Sequence, residues 1–589
     1  MARDRYAHPD VCGRAEAAST GAPPAIEVDP RRWVALVVVM IAGFMDLLDV
    51  TIVNVAVPSI LRDLHAAYAQ IEWIVAGYVL GFAAVLITGG RLGDIFGRRR
   101  LFLVGVAGFT AASALCGAAT SPAMLIGARF LEGAMAGLMV PQILAIIHVT
   151  FPARERGKVF GVWGGVLGSA SAAGLVVGGL LLRWNIDGSQ WRPIFLVNVP
   201  VGLVALVAGW FVVRESRSPT APRLDLLGMV LAMTGVLMLV YPLTEGRTLG
   251  WPTWTFAMMG AAAVVLALLV AYERRRSRTV GSPLVVLTLF GSRPFSAGIA
   301  LWLVFWVASG GFFLTWTLYM QVGLGWTPLH AGLTAVTYAA GAAAGAGLSV
   351  QALTPRFGRR VLMAGALLNA AGFAGYAWAA SHYGPGIGSA QMTAPLVVSG
   401  FGFGLVVAPM VDAILTSVPT HDAGSGSGLL STTQQAGMAL GVALAGVLFF
   451  SVLASGSGRG VDAVTPLLHR QLAAARVPAP GQDAIIARFR ACAHDRSAAT
   501  DPTKIPATCI IRPPQPAHGS ARVVQVVLAR AGQQANAHNF ARTFSTTLWL
   551  AAAVLAVVFV GLFALPRQVR LRGLAGELSD LGDDPTDQP

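Results

Sequence analysis

The chain has 589 residues, of which 55% are hydrophobic and only 12% are charged, and its mean hydropathy is +0.65. A soluble globular protein carries about 25% charged residues, so the composition excludes that class and indicates a protein with many membrane spans. The net charge of +14 does not indicate nucleic-acid binding, because most of the excess falls in short connections between apolar runs.

The first 30 residues are polar, and we expect a disordered cytoplasmic tail over 1–32. We expect no cleaved signal peptide, because the first apolar run is longer than the roughly 7–15 residues of a signal-peptide core. Crossing the bilayer takes about 20 mainly apolar residues. The sequence has fourteen runs of about this length, which we take as candidate spans, near 33–60, 70–90, 101–120, 123–147, 158–182, 193–213, 224–243, 253–272, 295–321, 328–352, 361–380, 388–416, 427–453 and 545–566.

Basic residues in the short connections predict the orientation of these spans. If the N-terminus is cytoplasmic, the inner connections hold 18 arginine and lysine residues, whereas the short outer connections hold 4. Short cytoplasmic connections are enriched in these residues. We therefore expect a multi-pass plasma-membrane protein with both termini in the cytoplasm.

The segment 455–544 would then be a long extracellular loop between spans 13 and 14, and it holds two of the four cysteines. Cys492 and Cys509 would face an oxidising exterior, where disulfides persist. They could form a disulfide or remain two free thiols. Of the other two cysteines, Cys12 falls in the cytoplasmic tail and Cys116 in the third span.

Two connections share a sequence pattern. The stretch "GGRLGDIFGRRR" (89–100) follows span 2, "TPRFGRRV" (354–361) follows span 10, and both contain Phe-Gly-Arg-Arg. Positive-inside bias alone explains the arginines but not the shared Phe-Gly. The pattern favours a duplicated half-structure, and related halves with a binding site at their interface are a transporter architecture.

The first of these connections resembles the cytoplasmic loop signature of the major facilitator superfamily. The chain is similar in particular to the fourteen-helix drug:proton antiporter branch, the EmrB/QacA group, over about 33–453 and 545–566. Five further stretches resemble motifs of that branch: "LDVTIVNVAVP" (48–58), "RFLEGAMAG" (129–137), "WRPIFLVNVPVG" (191–202), "LYMQVGLGWTPLHAGL" (318–333) and "GSGSGLLSTTQQAGMALG" (424–441).

This resemblance implies an all-α major facilitator fold with 14 transmembrane helices in a bacterial cell membrane. We expect a first six-helix half over 33–213, two central linker helices over 214–293 and a second six-helix half over 294–566. A cytoplasmic tail would follow over 567–589.

The chain departs from the family motifs at two positions. Leu175 stands where the fifth-helix motif of exporters has proline, which puts the proline-linked kink in doubt. Gly174, Gly178 and Gly179 remain, and small residues of this kind allow close helix packing. Glu132 stands where the fourth-helix motif has glutamine.

Ionisable residues inside membrane spans are functional hypotheses by default, and span 1 has two, Asp46 and Asp49. Residues three apart share a helix face, so the two carboxyl groups would titrate as a coupled unit. Such a pair can take up a proton on one side of the membrane and release it on the other. The alternative is a buried, neutral aspartate that only supports helix packing. Under the resemblance, Asp49 matches the first-helix motif aspartate implicated in proton coupling, and Asp46 lies outside the motif.

The second half has one acid within a predicted span, Asp412, which follows Pro409 and is a further candidate for proton or substrate binding. Some relatives carry an acid in the next helix. This chain has Gln434 and Gln435 there, so that function is absent or has moved to Asp412.

Arg129 and Glu132 share one face of span 4. They could form an internal ion pair, or Arg129 could sense the protonation of a partner acid while Glu132 meets cationic drugs. Span 9 is rich in aromatic residues, which either line a cavity for flat apolar cations or pack against lipid. The predicted substrate cavity comprises Arg129, Glu132, Trp316, Tyr319, Gln321, Gln434 and Gln435.

The loop 89–100 combines one acid with three glycines and several arginines at fixed offsets, which predicts a conformational lock rather than a purely topological signal. Asp94 can accept hydrogen bonds from arginine or from a helix N-terminus, and the glycines permit tight turns. The predicted lock comprises Gly90, Gly93, Asp94, Gly97, Arg98 and Arg99.

These features predict a proton-coupled multidrug exporter of amphipathic or cationic molecules that works by alternating access. The alternatives are a dedicated exporter of an endogenous metabolite or antibiotic, and an uncoupled facilitator. The sequence has no CxxC, HExxH, GxSxG or Walker loop, so we expect no enzyme activity, no cofactor and no metal. The expected partners are a small-molecule substrate, protons and the lipid bilayer, without nucleic acid. A monomer is compatible with the sequence, which leaves the oligomeric state open.

Overall fold

The computed structural model describes residues 30–66, 68–184, 188–217, 225–246, 249–279, 287–419, 423–498, 506–509 and 520–566. The predicted tails and Cys12 therefore lie almost entirely outside the described residues. The α-helices are α1 (Arg32–Asp63), α2 (Tyr68–Phe96), α3 (Arg98–Gly117), α4 (Pro122–Thr150), α5 (Ala153–Trp184), α6 (Pro193–Leu196), α7 (Asn198–Val212), α8 (Leu226–Glu245), α9 (Thr253–Thr279), α10 (Arg293–Leu318), α11 (Pro328–Leu348), α12 (Thr354–Phe357), α13 (Arg359–Tyr383), α14 (Ser389–Leu415), α15 (Ala423–Ala474), α16 (Ala479–Ala498) and α17 (Ser520–Gly561).

Short helical turns complete the secondary structure. The 3-10 turns are Leu287–Gly291, Gly384–Gly386, Ala507–Cys509 and Leu562–Ala564, and the π-helical turns are Tyr319–Gly323 and Ser349–Leu353. We call the face on which α1 begins the inner face and the opposite face the outer face, following the orientation predicted from the basic connections.

Each of the fourteen predicted spans falls on a helix, but fewer helices meet the requirements for crossing a bilayer. Within the described ranges, twelve helical segments are long and apolar enough. Helix α2 bends by 47° between Trp73–Leu86 and Thr88–Phe96. If these two parts count as one span, the number rises to thirteen. The 32-residue helix α5, rich in glycine and serine, is not among them.

Helix starts follow from local sequence. Ser121 precedes α4, and its hydroxyl accepts a hydrogen bond from the backbone N–H of Met124 at 3.3 Å, with Pro122 in the first turn. Asp225 caps α8 in the same way, accepting from the N–H of Gly228 at 2.8 Å. Such caps satisfy backbone donors that a helix leaves unpaired.

Close helix contacts in the first half position the polar residues described below. Helix α4 packs along both α2 and α3, and α1 packs on α5 and α7. The approach of α4 to α2 depends on Gly133, where a Cβ atom would lie 2.0 Å from the carbonyl oxygen of Tyr78. This glycine therefore lets the backbones of α2 and α4 come close enough to bring Tyr78 beside Arg129.

We predict that Gly133→Ala separates α2 from α4 and lowers stability by about 1–3 kcal/mol, the usual cost of overpacking. The matched control on the same helix is Gly127→Ala, because a Cβ atom at Gly127 would meet nothing within 4 Å. Thermal unfolding of the two purified variants should show a lower midpoint for Gly133→Ala alone. Equal midpoints would contradict the close-contact role of Gly133.

The second half is built from α10, α11, α13, α14, α15 and α17, with α14 packing on both α11 and α13. The two halves meet where α5 packs on α11 and α2 packs on α15. Helices α8 and α9 pack on each other, and α8 also contacts α2 and α15. The polar residues of α1–α7 and the aromatic residues of α10–α17 thus belong to two separately packed groups of helices.

The segment 455–544, predicted as a long extracellular loop, is largely helical where the structure describes it. Helix α15 continues to Ala474, α16 follows, and α17 begins at Ser520. These parts share an apolar core of their own, formed by Val461, Val464, Leu468, Leu472, Ile485, Ile486, Phe489, Val524, Ala531 and Ala535. A search for apolar runs does not detect these helices, because they mix polar and apolar residues, as in "APGQDAIIARFRACAHDRSA" of α16. We call 455–498 and 520–544 the outer helical segment.

Candidate functional site: a buried polar cluster between α1 and α4

Eight polar side chains from five helices meet inside the first half. All are buried, and none exposes more than the 6% seen for Asp46. The members of this buried polar cluster are Asp46, Asp49, Tyr78, Ser113, Cys116, Arg129, Glu132 and Asn198.

Arg129 joins two carboxylates in this cluster. Its Nη1 donates to Oδ2 of Asp49 at 2.5 Å and to Oε2 of Glu132 at 2.7 Å. Its Nε donates to the carbonyl oxygen of Ile74 at 3.4 Å. The sequence left open whether Arg129 pairs within its own helix or with an acid elsewhere, and in the structure it does both.

Tyr78 connects Asp46 to the same arginine. Its hydroxyl donates to Oδ1 of Asp46, and its ring lies below the guanidinium of Arg129, 4.3 Å from centroid to Cζ. A cation over an aromatic face is attracted by the ring quadrupole, most strongly where water is excluded. Asp49 therefore contacts Arg129 directly, whereas Asp46 is connected to Arg129 through Tyr78.

Asn198 fixes the other oxygen of Asp49. Its Nδ2 donates to Oδ1 of Asp49 at 3.0 Å and to the hydroxyl of Ser113 at 3.0 Å. Asn198 begins α7 and belongs to the stretch "WRPIFLVNVPVG". The asparagine of that stretch therefore holds the first-helix aspartate in one orientation.

Glu132 has an asymmetric environment. Its Oε2 accepts from Arg129 and from the thiol of Cys116 at 3.4 Å, whereas its Oε1 has no hydrogen-bond partner among the described residues. Glu132 is fully buried, so in this conformation it does not face a cavity open to cationic drugs. The structure places Arg129 and Glu132 with Asp49, and not with the other residues of the predicted substrate cavity.

Sequence reasoning did not single out Tyr78, Ser113 or Asn198. The sequence offered one signal for Tyr78 and Asn198, which is that both are polar residues within long apolar runs. It could not show their partners, because these lie on other helices. Local spacing reveals neighbours three or four residues apart, whereas Asp49 and Arg129 are separated by 80 residues.

Asp412 lies elsewhere, half-buried in the last turn of α14 at the inner face. Close to it, residues of α4 face residues of α14 and α15 across a void with a volume of about 10 Å³. The void is lined by Leu144, Ala145, His148, Leu415, Val418 and Ser427. The two halves therefore meet at this part of the inner face.

The predicted substrate residues of α10 lie in an aromatic cluster of the second half. Phe312 stacks on Trp316 at 5.1 Å, and Tyr319 stacks on Phe544 at 4.5 Å. Gln321 follows in the π-helical turn, and Gln434 and Gln435 are half-buried on α15. The cluster comprises Trp302, Phe305, Trp306, Phe312, Phe313, Trp316, Tyr319, Tyr338, Phe373, Tyr376, Phe403 and Phe544.

The loop predicted as a conformational lock forms an ion pair at the inner face. Asp94 is buried and accepts from Nη2 and Nε of Arg98 at 2.9 and 3.2 Å. Gly97 has a φ of 111°, a backbone conformation that favours glycine. Gly93 lies against Gln142, whose Oε1 would be 1.9 Å from a Cβ atom there, and Gly90 is buried on α2.

Both repeated loops hold the inner end of the last helix in their half. Arg99 donates to the carbonyl oxygen of Trp210 and lies over its ring, with 5.1 Å from Cζ to the centroid. Arg359 donates to the carbonyl oxygens of Phe563 and Leu565 at 3.0 and 2.6 Å and lies over the ring of Phe563. Arg99 is the second arginine of the shared Phe-Gly-Arg-Arg and Arg359 is the first, so the two loops make similar contacts from different positions of the repeat.

Glu215 adds a partner to the first loop that sequence reasoning missed. Its Oε1 accepts from the backbone N–H of Arg99 at 3.2 Å, and Oε2 lies 3.7 Å from Nε of Arg100. Glu215 follows α7, so it links the loop to the end of that helix. The loop of the second half has no acid between 354 and 361.

The three packing glycines of α5 lie at helix contacts. A Cβ atom at Gly174 would be 1.9 Å from the hydroxyl of Thr51, and one at Gly178 would be 2.9 Å from Cγ1 of Ile52, both on α1. Gly179 faces Leu329 of α11 at 3.4 Å. The side chain of Leu175 lies outside the described set.

A disulfide joins Cys492 of the outer helical segment to Cys509 of the 3-10 turn Ala507–Cys509, with Cα atoms 4.6 Å apart. Cys116, in contrast, is a buried free thiol. No group of three or more His, Cys, Asp or Glu suited to a metal ion occurs in the part of the chain that the structure describes.

At the outer face, Asp63 ties the end of α1 to the start of α6. It accepts from Nε1 of Trp191 at 3.0 Å and from Nη1 of Arg192 at 2.8 Å. Partial burial alone would raise the pKa of Asp63, but these hydrogen bonds and the charge of Arg192 outweigh it and hold the pKa below its ordinary value.

We predict that Asp63→Asn lowers stability by about 1 kcal/mol at neutral pH, the typical net value of such hydrogen bonds. A lowered folded-state pKa stabilises the protein above the unfolded value near 4, and this contribution is lost as the pH falls through the folded-state pKa. Unfolding midpoints of wild type and variant should therefore differ at pH 7 and converge below about pH 4. The exposed Asp483 provides the control, and a pH-independent difference for Asp63→Asn would contradict the charged contact.

Comparison with known proteins identifies the family and the relatives of this chain. The family model for the Major Facilitator Superfamily matches residues 39–226 and 223–442. The chain is 38% identical over 541 residues to the "Probable actinorhodin transporter" of Streptomyces coelicolor, covering 92% of this chain and 93% of that protein. It is 35% identical to the "Multidrug resistance protein Stp" of Mycobacterium tuberculosis, covering 70% and 74%.

A solved structure supports the fold. The human organic anion transporter MFSD10 (TETRAN) aligns with a TM-score of 0.53 at 13% identity, covering 89% of this chain and 99% of that one. The family match and the two bacterial relatives together cover most of the helices described above. The chain belongs to the major facilitator superfamily, with relatives among the drug and antibiotic exporters.

Proposed function

We propose that the chain exports amphipathic small molecules in exchange for protons and that the buried polar cluster is its proton site. Transport of such molecules agrees with the names of its bacterial relatives, an antibiotic transporter and a multidrug resistance protein, and the outward direction is part of the proposal. The observation that carries proton coupling is that the cluster buries three carboxyl groups with a single guanidinium, which pairs directly with Asp49 and Glu132, whereas Asp46 is bound by Tyr78.

Charge balance supports this role. With all three carboxyl groups ionised, the cluster would carry two more negative charges than Arg129 offsets. An uncompensated buried charge costs several kcal/mol, so the cluster is stable when it holds protons and must reorganise to lose them. A proton that enters and leaves such a site changes the contacts between α1, α2, α4 and α7, which is how protonation can bias a conformational equilibrium.

The proposed transport cycle is alternating access between two halves, 33–213 and 294–566, with the helices of 214–293 beside them. We propose fourteen spans, counting the bent α2 and the small-residue-rich α5, and both termini in the cytoplasm. Support for α5 comes from its length of 32 residues and its packing on α1 and α11. The inner loops with Asp94–Arg98 and Arg359 would stabilise one state and release in the other.

Asp412 is proposed to act near the inner exit of the pathway, since it lies at the end of α14 beside the contact between the halves. Trp316, Tyr319, Gln321, Gln434 and Gln435 are proposed for substrate contact. Arg129 and Glu132 act on substrate indirectly, through the state of the cluster. We propose a chain that works as a transporter without enzymatic chemistry.

The second candidate is a dedicated exporter of one endogenous product. It is supported by the relative that covers 92% of this chain, whose name gives a single antibiotic. Under this reading the buried polar cluster keeps the same role, and only the range of substrates differs.

The test uses the purified full chain in vesicles that contain a pH-sensitive dye. Ethidium serves as the multidrug probe and actinorhodin as the single-product probe. A proton-coupled exporter accumulates a probe against its gradient when a pH gradient is imposed and moves protons in the opposite direction. Probe entry that stops at equal concentrations on both sides and does not respond to the pH gradient would make the uncoupled facilitator the better description.

A further inference from the structure

The second half contains buried hydrogen-bond donors that have no acceptor among the described residues. These are Nε1 of Trp306, the hydroxyl of Tyr319, Nε2 of Gln321, Nδ2 of Asn369 and the hydroxyl of Thr543. Leaving such a group unpaired costs about 1–3 kcal/mol, and native proteins contain few of them. Several in one half indicate that acceptors come from outside the protein, from water or from a ligand.

The first half has unpaired atoms of both kinds. Oε1 of Glu132 and Oε1 of Gln142 are buried acceptors without a partner among the described residues, and Nε of Arg99, at the inner face, is a buried donor without one. Unpaired acceptors suit a site that takes up protons. Unpaired donors suit a site that binds oxygen atoms of a ligand.

Two of the donors lie at an irregular point of the backbone. Tyr319 and Gln321 belong to the π-helical turn Tyr319–Gly323 at the outer end of α10. Helix α17 contacts this turn, because Nδ2 of Asn536 donates a hydrogen bond to the carbonyl oxygen of Val322 at 3.1 Å.

Flat aromatic rings surround this turn. The ring of Tyr319 stacks on Phe544 at 4.5 Å, and Tyr376 meets Phe544 edge-on at 5.0 Å. Nε1 of Trp316 donates to the hydroxyl of Tyr376 at 3.2 Å. Aromatic side chains bury about 150–250 Å² each and prefer stacked or edge-on partners, so a planar ligand fits them better than a bulky one.

The charge pattern argues against a cation at this position. Within the six long helices of the second half, the acids are Asp412 at the inner end of α14 and Asp462 in the outer helical segment. Neither lies on α10, α13 or the membrane part of α17. Donor groups also point the positive ends of their dipoles at a ligand, which favours an acceptor and disfavours a cation.

We propose that the outer part of the second half is a substrate subsite for planar aromatic molecules that carry carbonyl, phenolate or carboxylate oxygens. This rests on the proposed export function and names its substrate class. The hydroxyl of Tyr319 and the amide of Gln321 donate to the ligand oxygens, while the rings of Tyr319 and Phe544 provide the stacking surface. These rings pack on each other in the present conformation, so the ligand enters in a state that opens the cluster.

The test measures equilibrium binding to the full chain in nanodiscs, which requires no transport. Anthraquinone-2-carboxylate is the planar acceptor probe and ethidium is the planar cationic probe. Wild type should bind the anthraquinone at least about tenfold more tightly than ethidium, which corresponds to 1.4 kcal/mol. Tyr319→Phe keeps the ring and should weaken anthraquinone binding about tenfold without weakening ethidium binding. Tyr383→Phe, an exposed tyrosine at the end of α13, is the control and should change neither.

A second variant keeps the proposal testable if Tyr319→Phe is poorly folded. Gln321→Glu exchanges the unpaired donor for a carboxylate and should reverse the preference, weakening the anthraquinone and strengthening ethidium. Equal binding of both probes by wild type, or no binding of the anthraquinone, would overturn the subsite. An unchanged anthraquinone affinity in folded Tyr319→Phe would also overturn it and would leave water as the partner of these donors. None of these binding results changes the outcome of the vesicle assay, which measures proton-coupled uptake of ethidium. Failure of the subsite is therefore distinguishable from failure of the export function.

Discussion

Asp49→Asn is expected to reduce probe-driven proton flux to background while leaving probe binding within a few-fold of wild type. Asparagine has the size of aspartate and can still accept a hydrogen bond from Arg129, but its amide does not take up or release a proton at physiological pH. Glu132 remains as a charged partner for Arg129 at 2.7 Å, so the helices should stay assembled.

The measurement is proton flux in vesicles containing the purified variant, driven by ethidium or actinorhodin. Asp462→Asn is the matched control, because Asp462 pairs with Arg490 in the outer helical segment and is largely exposed. It should transport as wild type does. If Asp49→Asn and Asp46→Asn both support normal flux, the assignment of the buried polar cluster as the proton site is wrong.

Arg129→Met is expected to have the largest effect on stability. Methionine fills much of the same space but leaves Asp49 and Glu132 buried without a cation. Removing one partner of a buried ion pair costs about 3–5 kcal/mol, and here one guanidinium serves two carboxylates. Arg129→Lys should be intermediate, because a compact ammonium does not reproduce the planar group that also reaches the carbonyl oxygen of Ile74.

A triple variant separates charge from packing. Arg129→Met combined with Asp49→Asn and Glu132→Gln contains no unpaired charge at these positions, so it should recover much of the lost stability and remain inactive in proton exchange. Unfolding midpoints and vesicle flux measure the two properties independently. If Arg129→Met alone unfolds at the wild-type temperature, the ion pairs do not hold the cluster together.

Apolar length predicted the positions and order of the long helices, because a membrane helix must be long and apolar wherever it lies, but twelve or thirteen helices of the described residues qualify as spans rather than the predicted fourteen. The same scan missed the helices of the outer helical segment. There, α16 and the outer parts of α15 and α17 bury one face against each other and expose the other to solvent, so no uniformly apolar run marks them.

The candidate site was predictable only in part. The motif positions identified Asp49 and Arg129, and the cost of charge in a bilayer identified Asp46 and Glu132. The bonds among them depend on how α1, α2, α4 and α7 meet, which has no local sequence signal. Tyr78 and Asn198 became visible as partners of the aspartates only when these helices were placed side by side. The periodicity of the sequence likewise could not predict the π-helical turn at Tyr319.

The most direct test of proton coupling at the buried polar cluster is proton release on ligand binding by the purified chain in weakly buffered detergent solution. Coupling between two ligands is reciprocal, so a substrate that competes with a bound proton must expel it. Addition of saturating ethidium or actinorhodin to wild type should acidify the solution, and the same addition to Asp49→Asn should not, although the probe still binds. Equal proton release by wild type and Asp49→Asn would contradict the account.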